Sequence, residues 1–317
     1  MPTPGKYTVE EEITADAPVE VLRELITDVE RWPQLHRPAV HAEFLERKDD
    51  EALIQHWAVT GDRSVRTWKA RRWIEEDRIV VAHEPAEKPL ASVGGEWVFT
   101  PAGGGRTLVT MRHEFVLHDD DARLAAAQSE SMRRGARAYL DTLKYAAEAR
   151  DELAELIISF EDPLFIAGSI EDVYAYLYEA DKWPERIPHV ARLVMEETTP
   201  GIQFFDMDTV SADGSAHTTR SVRVCLPYGK IVYKQTQPPK TMHAHTGHWV
   251  FTETPEGVIA SARHTATIRT EGLHLLGEGT TVQGARKYLR KILSANSMGN
   301  LRLAKEYAEE RATLTAD

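Results

Sequence analysis

Trp97-Val98-Phe99-Thr100 returns unchanged as Trp249-Val250-Phe251-Thr252, 152 residues later. Working outward, Arg112-His113 returns as Arg263-His264, Arg72 as Arg223 and Trp32-Pro33 as Trp183-Pro184, each 151 residues later. Solenoid units repeat every ~20–50 residues, so this period is too long for a solenoid and is instead the size of a domain. The 317 residues therefore read as one fold used twice, with units expected over 1–153 and 154–317. Each unit is long enough to bury a core of its own.

Composition excludes several classes of function. The hydrophobic share of 42% and charged share of 28% are those of an ordinary globular protein. No apolar run approaches the ~18 residues of a membrane span. Met1 to Glu12 is polar and acidic, without a signal-like apolar stretch, so a cytosolic setting is expected. The single cysteine, Cys225, rules out an intrachain disulfide framework and a cysteine-cluster metal site. A net charge of −12 argues against nucleic acid and against an anionic membrane surface.

In each unit the chemical pattern changes in the same order. Tyr7–Ile13 alternates as a strand, and Asp16-Ala17-Pro18 reads as a helix start with Asp16 as N-cap. The apolar spacing Val21, Leu22, Leu25, Ile26, Val29 marks one helical face, expected to end before Trp32-Pro33. Six β-like runs follow between residues 41 and 117, separated by turn residues, which implies an antiparallel meander. A long helix is expected over about 121–156. The second unit repeats this with a strand over 156–165, a helix capped by Ser169, strands over about 191–270 and a final helix over about 279–311. The layout is α+β, and a long last helix laid across a curved sheet leaves a cavity suited to a small molecule.

At this point the residues resemble a known family. Asp28…Trp32-Pro33, the strand Trp68-Lys69-Ala70-Arg71-Arg72 and the strand Trp97-Val98-Phe99 are similar to polyketide aromatase/cyclases. With the duplication, the whole chain resembles the di-domain aromatase/cyclases of bacterial type II polyketide synthases. The resemblance implies two tandem helix-grip domains of the START/Bet v 1 type, each a curved antiparallel sheet gripping a long C-terminal helix. It also implies an activity: folding a poly-β-ketone held on an acyl carrier protein, closing the first ring by aldol condensation, and dehydrating it to an aromatic ring. Di-domain members are associated with ketoreduced chains and a bond between the seventh and twelfth carbons. The partners implied are the acyl carrier protein, with the ketoreductase and ketosynthase of the same synthase. No cofactor is expected. The alternative is a START-like carrier of a lipid, quinone or aromatic product, without chemistry; a scaffold within a synthase is a third.

The residues themselves nominate a site. In an extended strand Arg66, Trp68, Ala70 and Arg72 share one face, combining cationic, aromatic and small groups. A fixed guanidinium at Arg72 would stabilise the oxygen charge of an enolate or alkoxide, and aligning Trp68 with the family's strand tryptophan puts the family's pocket arginine there. A surface arginine on a strand edge is the alternative. Trp32 and Trp68 read as cavity walls and Trp97 as core. In the second unit Thr219, Ser221 and Arg223 replace Trp68, Ala70 and Arg72, with His217 on the same face and Trp183 in the place of Trp32. His113 and His264 are candidate acid/base groups, against a structural role for both, and Tyr228 is a candidate proton donor near the second cavity. Division of labour between the pockets competes with one pocket being vestigial. In His243-Ala244-His245, two histidines at alternate positions would share a face, but nothing completes a metal site. Arg133, Arg134 and Arg137, or Arg286, Lys287, Arg290 and Lys291, are candidate carrier-docking patches.

Overall fold

Alternation in Lys6–Ala15 (β1) turns Val9 and Ala15 inward and leaves Lys6, Thr8, Glu10, Glu12 and Thr14 exposed. A strand with one apolar side must cover it, and β1 does so as the edge of an antiparallel sheet. The computed structural model describes residues 5–119, 121–210 and 216–316. The chain divides at Asp151/Glu152 into two compact units.

In the first unit β1 is followed by α1 (Val19–Thr27), a 3-10 turn (Val29–Arg31) and α2 (Trp32–Leu35). The strands β2 (Ala39–Arg47), β3 (Glu51–Thr60), β4 (Ser64–Ile74), β5 (Arg78–His83), β6 (Leu90–Gly103) and β7 (Arg106–Leu117) come next, then α3 (Ala122–Glu148), and α4 (Arg150–Leu156) spans the boundary between the units. The sheet order β1-β7-β6-β5-β4-β3-β2 is a meander closed by its first strand. Buried Ala136, Leu140, Leu143 and Ala147 recur every three or four residues along α3, the stripe that grips the sheet.

The second unit repeats the plan. It contains β8 (Ile157–Ile166), α5 (Ile170–Tyr178), a 3-10 turn (Ala180–Lys182), α6 (Trp183–Arg186), β9 (Val190–Thr199), β10 (Ile202–Val210) and β11 (Ala216–Leu226). Then come β12 (Lys230–Gln237), β13 (Met242–Thr254), β14 (Gly257–Ile268), a 3-10 segment (Thr270–Leu276) and α7 (Val282–Ala316). The order is β8-β14-β13-β12-β11-β10-β9. Ala285, Leu289, Leu293, Leu301, Ala304 and Ala308 form the buried stripe of α7, interrupted by buried Ser297 and Asn300. These are two helix-grip domains. No helix among the described residues is long and apolar enough to cross a membrane.

Two local expectations are corrected. Asp16 does not cap α1: the cap position is Pro18, and the Asp16 N–H donates to Glu148 Oε1 at 2.8 Å. α1 stops at Thr27, before Trp32-Pro33 as expected, and Trp32-Pro33 itself opens α2. Pro33 sits in the first turn of α2, where its missing N–H leaves no bond unmade, and Trp183-Pro184 opens α6 in the same way. The helix expected over 121–156 is two helices that meet at Ala149. The Ser169 cap is present, its hydroxyl accepting from the Asp172 N–H at 3.1 Å.

Candidate functional site

Antiparallel register decides what surrounds the inward face of β4. His56 on β3 lies opposite Trp68, and His83 on β5 opposite Ala70. The rings therefore stack as a ladder: Trp32 on His56 at 5.5 Å, His56 on Trp68 at 5.0 Å, Trp68 on His83 at 5.9 Å. Arg66 lies over the Trp68 ring at 5.4 Å and pairs with Glu87 at 3.3 Å. Trp32 is tied down by its indole N–H, which donates to the Leu25 carbonyl at 3.1 Å. Ala70 is buried beside them. Burial and neighbouring positive groups push His56 down to about 3, so it is neutral.

Arg72 is buried and makes one hydrogen bond through Nη1, to the Thr27 carbonyl at 2.9 Å. Its buried Nε has no protein partner, and burial lowers its pKa to about 10. From α3, Tyr139 stacks on His36 at 4.3 Å and meets Trp32 at 5.7 Å and Trp97 at 5.8 Å. Trp97 thus packs under the long helix, as expected. The Tyr139 hydroxyl and His113 Nδ1 are also buried without a protein partner.

Arg223 has a different environment. Its Nη1 donates to the Leu177 carbonyl at 2.8 Å, its Nη2 to the Tyr178 carbonyl at 2.7 Å, and its Nε to Gln203 Oε1 at 3.0 Å. Nη2 also donates to Gln203 Oε1. Trp183 and Phe205 flank the guanidinium at 5.1 and 5.5 Å. Gln203 stands opposite Arg223 in the sheet, where the first unit has Ala52 opposite Arg72. The duplicated arginines therefore share a position but not a bonding state.

Beside Arg223, between sheet and α7, lies a cavity of about 770 Å³. Thr219, Ser221, Arg223, His217, Trp183 and His264 all line it, so six residues nominated from sequence converge on one space. Five lining side chains carry a buried polar atom with no protein partner: Trp183 Nε1, Thr219 Oγ1, Trp249 Nε1, His264 Nε2 and Asn300 Oδ1. The other ring nitrogen of His264 is 2.7 Å from the Tyr233 hydroxyl, and burial holds this histidine down to about 4. His217 sits at an exposed edge with its Nε2 3.0 Å from Thr209 Oγ1.

Residues 6–148 and 166–295 each match a family model described as polyketide cyclase/dehydrase and lipid transport. The chain belongs to that family. It is 37% identical to the granaticin polyketide synthase bifunctional cyclase/dehydratase of Streptomyces violaceoruber, over 98% of this chain and 96% of the relative. The actinorhodin counterpart of Streptomyces coelicolor is also 37% identical, over 96% of this chain and 98% of the relative. Two solved di-domain aromatase/cyclases cover 96% of this chain and 99% of their own, each with a TM-score of 0.85. StfQ, of the steffimycin pathway, is 53% identical and BexL, of the BE-7585A pathway, 36%.

In this di-domain aromatase/cyclase, not every nominated residue lines the cavity beside Arg223. Tyr228 is 50% exposed in the β11–β12 turn, packs against Tyr174 at 5.3 Å, and is not part of the described cavity lining. The basic patches are largely neutralised: Arg137 pairs with Glu11 at 2.7 Å, Arg133 and Arg134 with Glu130 at 3.2 Å, and Arg290 with Asp162 at 2.6 Å. Arg286 donates to the carbonyls of Glu155 and Ile157, and Lys287 and Lys291 are exposed. His243 and His245 do not share a face, because a register shift between Met242 and Ala244 turns His243 outward towards Glu271 and buries His245.

Sequence reasoning missed His56, Tyr139, Tyr233, Gln235 and Asn300, and weighed His245 only as a metal ligand or part of an exposed or pocket-lining strand. One signal was available in Gly247. A Cβ there would stand 2.2 Å from the Arg263 carbonyl and 2.3 Å from the Tyr233 hydroxyl, so glycine is what admits the phenol. Gly247→Ala is expected to lower stability by about 3 kcal/mol, measured as a denaturant midpoint, since backbone must move to make room. An unchanged midpoint would show that the phenol has another place to go.

Proposed function

We propose that the chain takes a poly-β-ketone borne on an acyl carrier protein, closes its first ring by intramolecular aldol condensation and dehydrates that ring. The substrate class follows the named cyclase/dehydratase relatives. The observation that carries it is the set of five unpartnered polar atoms in the second unit's cavity. Buried polar groups without partners are unfavourable by roughly 1–3 kcal/mol each, so such a set favours a ligand that supplies oxygens at intervals. A purely apolar lipid would leave every one of them unsatisfied, which disfavours the passive-carrier reading.

In this reading His264 Nε2 removes an α-proton lying between two carbonyls, and Trp183 and Trp249 indole N–H groups bind carbonyl oxygens. Arg223 stiffens the wall behind them, while Arg72 and Tyr139 offer the first unit's interior comparable polar atoms. The aromatic ladder there suits a flat chain or ring. The setting is the cytosol, where the carrier protein delivers the chain, and Lys287 and Lys291 are the cations placed to meet an acidic carrier.

Reconstitution with a minimal synthase, its carrier protein and a ketoreductase tests this. Adding the protein is expected to shift shunt products to a single first-ring aromatic product. His264→Gln is expected to slow that conversion by roughly 10²–10⁴-fold, the usual contribution of a positioned base. A product profile indifferent to the protein would overturn the proposal.

A further inference from the structure

The strongest unassigned feature is a line of polar side chains behind His264. Gln235 Oε1 lies 2.9 Å from His245 Nδ1. His245 Nε2 lies 3.1 Å from His264 Nδ1 and 3.4 Å from the Tyr233 hydroxyl, which is itself 2.7 Å from His264 Nδ1. His245, His264 and Tyr233 are all buried, and all four residues line the cavity. We propose that Gln235 and His245, with Tyr233, are positioning residues that keep the proton of His264 on Nδ1 and present its bare Nε2 to the substrate. This rests on the reading of the cavity as the cyclisation site.

The direction of the chain follows from hydrogen-bond inventory. A carboxamide oxygen only accepts, so His245 Nδ1 carries a hydrogen and donates to Gln235. A neutral His245 then has a lone pair on Nε2, which needs a donor. If His264 Nδ1 also carried a lone pair, two lone pairs would face each other at 3.1 Å. With the hydrogen on His264 Nδ1, that atom donates either to the Tyr233 oxygen, whose O–H then donates to His245 Nε2, or directly to His245 Nε2. Either route leaves His264 Nε2 as the unprotonated nitrogen, the atom that has no protein partner.

The first unit shows what the fold looks like without the relay. By register Tyr233 corresponds to Val81, since they pair with Arg223 and Arg72 respectively. Gly247 pairs with His264 and Gly95 with His113, so His245, two residues before Gly247, corresponds to Val93. His113 is thus left without the Tyr233 and His245 partners, and its Nδ1 has no hydrogen bond. The proton-directing device belongs to the second unit.

Its chemical use balances. Nε2 takes a proton from a methylene between two carbonyls, and the C–H electron pair moves to an enolate oxygen. The enolate carbon bonds to a ketone carbon further along the chain, and the resulting alkoxide recovers the proton from the imidazolium Nε2–H. While the imidazolium exists, its Nδ1–H is held by Tyr233 and His245. The other charged groups facing His264 are Asp162 of β8 and Arg290 of α7, paired with each other at 2.6 Å.

The test is the tautomer itself, read on the full-length protein with ¹⁵N-labelled histidine by long-range ¹H–¹⁵N NMR. Wild type is expected to show His264 as the Nδ1–H form. Gln235→Leu and His245→Leu are expected to convert a large fraction to the Nε2–H form, whereas Gln235→Glu, which keeps an acceptor oxygen, retains the wild-type spectrum. In reconstitution, Gln235→Leu is expected to lower kcat at least tenfold with KM little changed, and Gln235→Glu to restore most of it. An Nε2–H form of His264 in wild type, or an unchanged tautomer in both leucine variants, overturns the proposal. Because the NMR arm needs no substrate, its failure is distinguishable from failure of the cyclase reading.

Discussion

Arg223→Ala is expected to destabilise the second unit by about 3–5 kcal/mol, the usual range for stripping one member from a buried charged network. The side chain is fully buried, and four of its five N–H groups donate within the protein. Two acceptors, the Leu177 and Tyr178 carbonyls, belong to the last turn of α5, where helix geometry leaves carbonyls without intrahelical donors and favours a cation. The third, Gln203, donates to Glu197 at 2.7 Å, and Glu197 also accepts from the Gly201 N–H at 2.8 Å and from the Tyr178 hydroxyl. Removing the guanidinium orphans this set and opens a void between Trp183 and Phe205. Lysine cannot repair it, because one ammonium lacks the planar fork that reaches three acceptors. Arg72→Ala breaks a single bond to a carbonyl and is expected to perturb stability by about 1–2 kcal/mol. Hydrogen exchange in β10–β12, compared with that in β3–β5, reads each unit separately. If the two variants loosen their own units equally, Arg223 is no more of a clamp than Arg72.

Acid is expected to unfold the protein well before its carboxylates are all neutralised. His56 is held down to about 3 and His264 to about 4, mainly by burial. In the unfolded chain both take up a proton near 6.5. Between those values the unfolded state binds more protons than the folded state, so stability falls as pH falls from about 6.5 to about 4. Each histidine contributes up to roughly 3 kcal/mol of that loss, at ~1.4 kcal/mol per pKa unit. Denaturant midpoints across pH 4–7 measure the slope, and His56→Phe is expected to make it shallower by about one proton's worth. A slope the same in His56→Phe and wild type would mean that His56 is solvated and protonates freely in the fold.

Much of the site's framework was legible because its signals are local. A strand alternates every residue, so Arg66, Trp68, Ala70 and Arg72 were assigned to one face without knowing what lay opposite. The same rule grouped His217, Thr219, Ser221 and Arg223, and all four line the cavity. It failed at His243 and His245, where a shift of register between Met242 and Ala244 breaks the alternation, and only His245 is buried. It was silent on His56 and Tyr233, whose importance lies in the residue across the strand pair, and on Asn300, which interrupts an otherwise apolar helical stripe.

The amino-acid sequence alone determined that one fold is used twice, with an arginine on the equivalent strand and a last-strand histidine in each copy. Repetition, turn chemistry and periodicity are properties of a linear string, and they survive without coordinates. Only the tertiary structure decided that Arg223 is held by four hydrogen bonds while Arg72 makes one and keeps an unpartnered Nε, and that His264 stands in a proton-directing line while His113 does not. Those distinctions rest on Gln203 in place of Ala52, and on Tyr233 and His245 in place of Val81 and Val93. Such residues lie 19 to 31 positions from the groups they govern, and hydrogen bonds act over about 3 Å. Strand pairing is what brings them within reach.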